Sequence, residues 1–341
     1  SEKEEGSNWF NILVGVAITM WVKDGSDEQH LYYKDIGNTL SRRQKFDAIS
    51  NAASVSGIDW TELTPDDNND WLNQRDKNYQ TYRPLADEPH NAGVFPKNAL
   101  GIVTNRDAWV YGFNKHDTAQ KTSLLIDHYN AERERIKQTG ADMNRDPQYI
   151  KWTRKLERLA HNDEAITFDT NKIRLGLYRP FTKKWLYYDY ALNEETRLYY
   201  KQFGDSNEVI FTTGRGTRND FSVLATDLIP NMDCLEKAQG FMRYNNEENS
   251  SIENMLAPER DNVSAEFAAK LGLTTDETYA YVYGLLNSPA YQQKYANDLQ
   301  KDLARIPVVK NVRQYVEVGQ QLLDLQINYE DAEPYAGCKT I

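Results

Sequence analysis

Between residues 172 and 218 the sequence crowds nine cations, Lys172, Arg174, Arg179, Lys183, Lys184, Arg197, Lys201, Arg215 and Arg218, against five acids. The local balance is therefore +4, in a chain whose formal net charge is −11. Ten aromatic residues share the window, and its densest stretch is "LYRPFTKKWLYYD" at 177–189. Cations hold phosphates and read guanine edges, and aromatic faces stack on exposed bases or wedge beside them. The same composition also suits a β-sheet whose Tyr and Trp alternate into a core while Lys and Arg reach outward along their aliphatic stems. The residues alone leave both readings open.

Other strings offer less. "TTGRGTRND" at 212–220 lacks the spacing of a nucleotide-binding glycine loop. It reads either as a basic loop that takes phosphate through Arg215, Arg218 and backbone amides, or as a solvated surface turn. In "TNRDAW" at 104–109, Arg106 and Asp107 can pair and lock a turn, or Thr104, Asn105 and Arg106 can grip a phosphate. "DPQY" at 146–149 resembles a degenerate catalytic loop of amino-group methyltransferases. It follows the polar "QTGADMNR", however, and Asp146 with Pro147 reads as the cap and first position of a helix. The histidines at 30, 90, 116, 128 and 161 show no paired-ligand spacing, and Cys234 and Cys338 stand alone, so no metal site is expected.

These residues need elements to hold them. "NILVGVAITMWVK" (11–23), the turn signal "DGSDEQ" and "HLYYKDI" (30–36) predict a β-hairpin, its first strand apolar enough for burial on both faces of a larger sheet. A helix over 40–54 is expected to start at a Ser41 cap, and short strands at "ALGIVT" and "AWVYGF". Amphipathic helices are predicted over 121–140, ended by Gly140, and over 147–163. Short aromatic strands then run to about 245. Helices return at 262–272, at 275–304 with an interruption at Pro289, and at 312–327.

At 341 residues, 40% of them hydrophobic and 27% charged, the chain has the composition of a soluble multidomain protein. It has no apolar run of membrane-spanning length and no signal peptide at "SEKEEGSNWF", and with two cysteines a reducing, cytoplasmic setting is expected.

Taken in order, "GVAITMWVK" with "LYYKDIG", "DWLNQRD", "GIVTNRDAWVYGF", "YIKWTRKLERL", "KIRLGLYRPFTKKWLYYD" and "YVYGLLNSPAYQQKYANDLQKDLARIP" resemble one family. It is the C-terminal region of the Type ISP restriction-modification enzymes and their adenine-specific DNA methyltransferase relatives, matched over roughly residues 8 to 310. The resemblance implies an α+β fold in three parts. These are a hairpin ending a methyltransferase sheet (1–45), a mixed connector and helical spacer (46–165), and a target recognition domain (166–341), β-rich over 166–250 and helical over 260–330.

The resemblance also implies that the partner is double-stranded DNA and that nuclease, ATPase and methyltransferase domains precede this region in one polypeptide. S-adenosylmethionine then serves the parent enzyme in adenine N6 methylation, with both its loop and the N-P-P-Y loop expected upstream of Ser1. No cofactor and no catalytic residue is expected in this chain. Composition selects Arg174, Arg179, Lys183, Lys184, Arg197, Arg215 and Arg218 as DNA contacts, with Trp185 and Tyr199 as stacking groups. Trp9 and Phe10 fall where the resemblance puts an aromatic against a flipped base, although burial in an apolar strand explains them too. Within "LYRPFTKKWLYYD", Pro180, Phe181 and Leu186 are expected to build strands, and Arg179, Lys183 and Lys184 to face DNA. The competing expectation is a protein-interaction or DNA-mimic module, suited to the net charge and the acidic "NYEDAEPYAG" at 328–337.

Overall fold

A computed structural model describes residues 16–37, 40–87, 90, 92–194, 203, 207–245 and 260–333. The chain divides into two units, Ser1–Gln74 and Arg75–Ile341.

In the first unit, strand β1 (Tyr32–Tyr33) pairs antiparallel with β2 (Thr61–Glu62), and helix α1 (Arg42–Ser50) lies between them in sequence. Ser41 caps α1 as expected. Its hydroxyl accepts from the Gln44 amide, and the Gln44 side chain answers the Ser41 amide at 2.8 Å. The expected hairpin is corrected: residues 16–23 form no strand, and Tyr32–Tyr33 pairs with 61–62 instead. Ile18, Met20, Trp21 and Val22 are 62–89% exposed. A β-branched run becomes a strand only where another strand takes its amides and carbonyls. Among the described residues none does. Trp9 and Phe10 lie outside the described residues.

The second unit is built on two small sheets. Strand β3 (Arg83–Pro84) comes first; helix α2 (Asp107–Val110) then leads into strand β4 (Tyr111–Gly112), followed by helix α3 (Lys115–Thr139) and helix α4 (Arg154–His161). Strands β5 (Ile173–Arg179) and β6 (Thr182–Tyr187) form a hairpin. Then come β7 (Val209–Thr212), β8 (Val223–Thr226), β9 (Ile229–Pro230) and β10 (Gln239–Met242). The first sheet has the order β4-β6-β5-β9, with β9 parallel to β5 and the other pairs antiparallel. The second has the order β10-β7-β8, antiparallel throughout.

The second sheet lies between two cores. Its alternation sends Val209, Phe211, Leu224 and Met242 into one, with Leu125, Tyr129, Leu156, Leu186 and Tyr187. It sends Ile210, Ala225 and Phe241 into the other, beneath the C-terminal helices. The helices at 115–161 therefore share a core with the strands at 173–242, across the position where a spacer was expected to give way to a separate domain.

Local chemistry explains the helix ends. Gly140 takes φ +65° and closes α3. The predicted helix at 147–163 shortens to α4. Asp146 accepts from the Gln148 amide at 2.9 Å and caps a single turn, and the helix proper starts at Thr153, whose hydroxyl accepts from the Leu156 amide. The string "DPQY" is no base-holding loop, since Tyr149 stacks on His128 with ring centroids 4.2 Å apart. "ALGIVT" makes only isolated bridges, Ala99 to Gly240 and Ile102 to Asn231, and within "AWVYGF" only Tyr111–Gly112 is strand.

The C-terminal half holds α5 (Ala265–Leu271), α6 (Thr275–Leu286), α7 (Pro289–Lys294), α8 (Ala296–Lys301) and α9 (Val312–Ile327). Pro289 separates α6 from α7 as expected. Nine residues of α6 are buried, so "TYAYVYGLL" is a central helix rather than an amphipathic surface one. Helix α9 crosses it at two glycines. A Cβ on Gly319 would stand 1.9 Å from the Ala280 carbonyl oxygen, and one on Gly284 2.4 Å from that of Tyr315.

Candidate nucleic-acid interface

Lys184 and Arg179 both pack on Tyr178. The Lys184 Nζ stands 3.7 Å from the Tyr178 ring centroid and 4.9 Å from that of Phe113, and the Arg179 guanidinium carbon 4.2 Å from Tyr178. Strand register produces this ladder. Gly176 lies opposite Lys184 and Arg174 two positions away on the same face, while the register shift between Leu177 and Arg179 leaves Tyr178 as an extra residue whose ring meets Lys184. Gly176 leaves that face open to the neighbouring strand, since a Cβ there would meet the Ile229 oxygen at 2.8 Å. Phe113 is 75% exposed and Arg174 is exposed. Burial against the rings pulls the Lys184 ammonium below its ordinary pKa.

Arg179 is positioned by its neighbours. Its Nη1 donates to the Tyr178 carbonyl at 2.7 Å and to Asn231 Oδ1 at 3.0 Å, and its Nη2 lies 3.7 Å from Asp233. Its side chain remains 37% exposed. Tyr178 in turn donates to Asp107 at 3.0 Å. Cations stacked on aromatic faces keep their charge and present it in a fixed place, which is what a phosphate contact needs.

Alternation turns the other hairpin residues away. Lys183 and Trp185 lie on the opposite side of β6 from Lys184. Trp185 is half-buried with the Lys115 ammonium 4.4 Å over its ring, so it is packed rather than open for stacking. Lys183 donates to Glu330 at 2.7 Å and stands 5.0 Å from the Tyr329 ring. The expected division of the motif is corrected at Pro180, a turn residue, and at Phe181. Phe181 sits in the two-residue turn rather than in a strand, at φ +55° and 58% exposed, edge-on to Tyr329 at 5.3 Å. A bulky residue in the left-handed region costs roughly 1–3 kcal/mol. Leu186 and Tyr187 are fully buried, as the strand reading required.

Arg215 and Arg218 stand on the turn between β7 and β8 of the second sheet. Arg215 pairs with Asp302 at 3.2 Å, and Arg218 with Glu236 at 3.2 Å while remaining 87% exposed. The amides expected to cradle phosphate are occupied: Gly214 donates to the Glu236 carbonyl and Gly216 to that of Gln300. Glu236 organises the turn, accepting from Thr217 Oγ1 at 2.8 Å and from the amides of Arg218 and Asn219. The Thr217 hydroxyl chiefly, with those amides and the Arg218 side chain, holds its carboxyl down to about 2. Arg197 and Tyr199 lie outside the described residues.

"TNRDAW" is a lock, with a different partner from the one expected. Arg106 is 2% exposed and donates to the Leu192 carbonyl at 2.6 Å, to Thr153 Oγ1 at 2.6 Å and to Glu194 Oε1 at 2.8 Å. A guanidinium so enclosed reaches no phosphate. Thr104 is buried as well, its hydroxyl donating to Asp107. Only Asn105 of the three is exposed. Sequence reasoning missed Tyr178, Phe113, Asn231 and Asp233. Alternation in "AWVYGF" and "RLGLYR" signals the first two, whereas the last two reach Arg179 from more than fifty residues away without a local mark.

Residues 93–340 match the family model of the Type ISP C-terminal specificity domain, and the chain belongs to that family. Solved structures share the fold. A nuclease-deletion mutant of the Type ISP restriction-modification enzyme LlaGI, in complex with a DNA substrate mimic, is 38% identical at a TM-score of 0.80 over 93% of this chain. The ATP-dependent Type ISP enzyme LlaBIII bound to DNA is 28% identical, with a TM-score of 0.80 over 92%. A DrdV–DNA complex is 26% identical, with a TM-score of 0.76 over 90%. The chain spans 30%, 21% and 32% of those three proteins' lengths, respectively. No curated protein sequence matches it.

Proposed function

We propose that this chain recognises double-stranded DNA as the specificity module of a restriction-modification enzyme. The observation that carries the reading is the ladder Phe113–Lys184–Tyr178–Arg179 on the first sheet. It supplies fixed cations in a chain too acidic to bind nucleic acid by bulk charge. Arg174 lies on the same face as Lys184, and Arg215 and Arg218 add cations on the β7–β8 turn. The relatives caught on DNA support the same reading.

The parent enzyme, in this proposal, methylates adenine N6 with S-adenosylmethionine, and its methyltransferase, with nuclease and ATPase domains, belongs to the same longer polypeptide. The exposed apolar run 16–23 is where this chain meets that methyltransferase. Rotating an adenine out of the duplex costs a few kcal/mol, which recognition contacts offset at the correct site alone. Neither loop that the sequence singled out serves that chemistry here: the glycine amides at 214 and 216 are occupied, and Tyr149 is stacked on His128 rather than open to a base. No described helix is long and apolar enough to cross a membrane. In this proposal the protein works in the cytoplasm.

The test is selection from a randomised duplex library by the 341-residue chain. One short sequence is expected to be enriched. A library returned at background frequencies would remove the reading. One observation favours the DNA-mimic alternative: the carboxylate of Glu330 already occupies Lys183. A chain that inhibits a DNA-binding partner while retaining no duplex would establish it.

A further inference from the structure

Asn105 is the exposed apex of a turn whose neighbours on both sides, Thr104 and Arg106, are buried at 1% and 2% exposure. Its backbone takes φ +54°, and its side-chain amide makes no hydrogen bond within the protein among the described residues. It lines a pocket of about 300 Å³ together with Asp107, Asn231 and Asp233. Arg179 stands at that pocket, bonded to Asn231 and 3.7 Å from Asp233, so the pocket borders the cation–aromatic ladder.

The pocket's chemistry selects its ligand. Two carboxylates, Asp107 and Asp233, repel a phosphate oxygen, which argues against the phosphate grip that the sequence suggested for this turn. They suit an amino group instead. A free carboxamide offers one acceptor and two donors side by side, the complement of the adenine major-groove edge, whose N6 amino group donates and whose N7 accepts. The turn is also held tightly. Thr104 donates to Asp107 and accepts from the Arg106 amide at 3.1 Å, and the Val103 carbonyl accepts from the Glu194 amide at 2.6 Å.

The geometry points to Asn105 as a base-reading residue that selects adenine at one position of the target, with Arg179 holding the phosphate backbone beside it. This rests on the reading of the chain as a DNA recognition module.

The experiment measures binding of the 341-residue chain to its enriched duplex and to every single-base-pair variant of it. Wild type, Asn105→Gly and Asn105→Asp are compared, since glycine and aspartate both tolerate the left-handed backbone. Wild type is expected to disfavour replacement of one A·T pair by about ten- to a hundredfold. Asn105→Gly loses that preference at that pair alone, with the salt dependence and thermal midpoint unchanged. Asn105→Asp shifts it toward cytosine, whose N4 amino group donates to a carboxylate. A uniform loss across all duplexes with a shallower salt slope means a phosphate contact and overturns the inference. So does discrimination in both variants equal to wild type at every position, a result that leaves DNA recognition standing. A wild type that distinguishes no duplex overturns recognition itself and this inference with it.

Discussion

The Arg106 guanidinium, with no exposed side-chain surface, lies 2.8 Å from the Glu194 carboxylate, 88 residues further along the chain. It ties the turn before α2 to the start of α4 and to the segment after β6. Removing one member leaves the other charged and enclosed, which costs roughly 3–5 kcal/mol. Arg106→Ala is therefore expected to lower the thermal midpoint sharply. An unfolding curve superimposable on wild type would show that water or another cation serves Glu194 equally well.

Helices α6 and α9 approach closely because Gly284 and Gly319 carry no side chain where they cross. Gly319→Ala puts a methyl group into the Ala280 carbonyl. Overpacking of this kind costs about 1–3 kcal/mol. Calorimetry is expected to show the loss, and Gly140→Ala offers a contrast: its Cβ meets nothing, and only the φ of +65° resists it.

Glu236 gives the β7–β8 turn a defined acid response. Its carboxyl is depressed from 4.5 to about 2, so its contribution is fully present above pH 4.5 and is lost as pH falls through about 2. Carboxyl-detected NMR is expected to show Glu236 titrating near that value, with the amides of Arg218 and Asn219 shifting alongside. Titration in the ordinary glutamate range would mean the turn is open in solution.

Lys183 and Glu330 form a contact that a duplex would have to displace for the expected Lys183–DNA contact to be made. The pair is 2.7 Å apart, and the Lys183 ammonium, donating to it, holds the Glu330 carboxyl below its usual range. Glu330→Gln is expected to strengthen duplex binding at low salt by a few-fold, since an exposed pair is worth at most about 1 kcal/mol. Unchanged affinity would place Lys183 outside the interface.

Helix ends were legible because they are decided locally: the Ser41 capping box, the left-handed Gly140, the break at Pro289. Strands in the aromatic stretch were legible as a class, but the turn that makes β5 and β6 a hairpin was not, since its residues Pro180 and Phe181 were expected in strands. Residues 16–23 carry the composition of a strand but find no partner among the described residues, and composition cannot supply one. Arg106 was correctly sensed as a lock while its partner was misassigned, because burial depends on Glu194 and Thr153, which only the folded chain brings near. At the interface, cations were readable as a class. Which face each takes followed from register, which sends Lys184 to Tyr178 and Lys183 to Glu330.

The central claim, that Arg179 and Lys184 on Tyr178 hold the DNA backbone, is tested most directly by the salt dependence of binding. The slope of log affinity against log salt falls by about 0.9 for each phosphate contact removed. Arg179→Ala combined with Lys184→Ala is expected to flatten the slope by nearly 2, with the thermal midpoint almost unchanged. A double variant with the wild-type slope would contradict the claim.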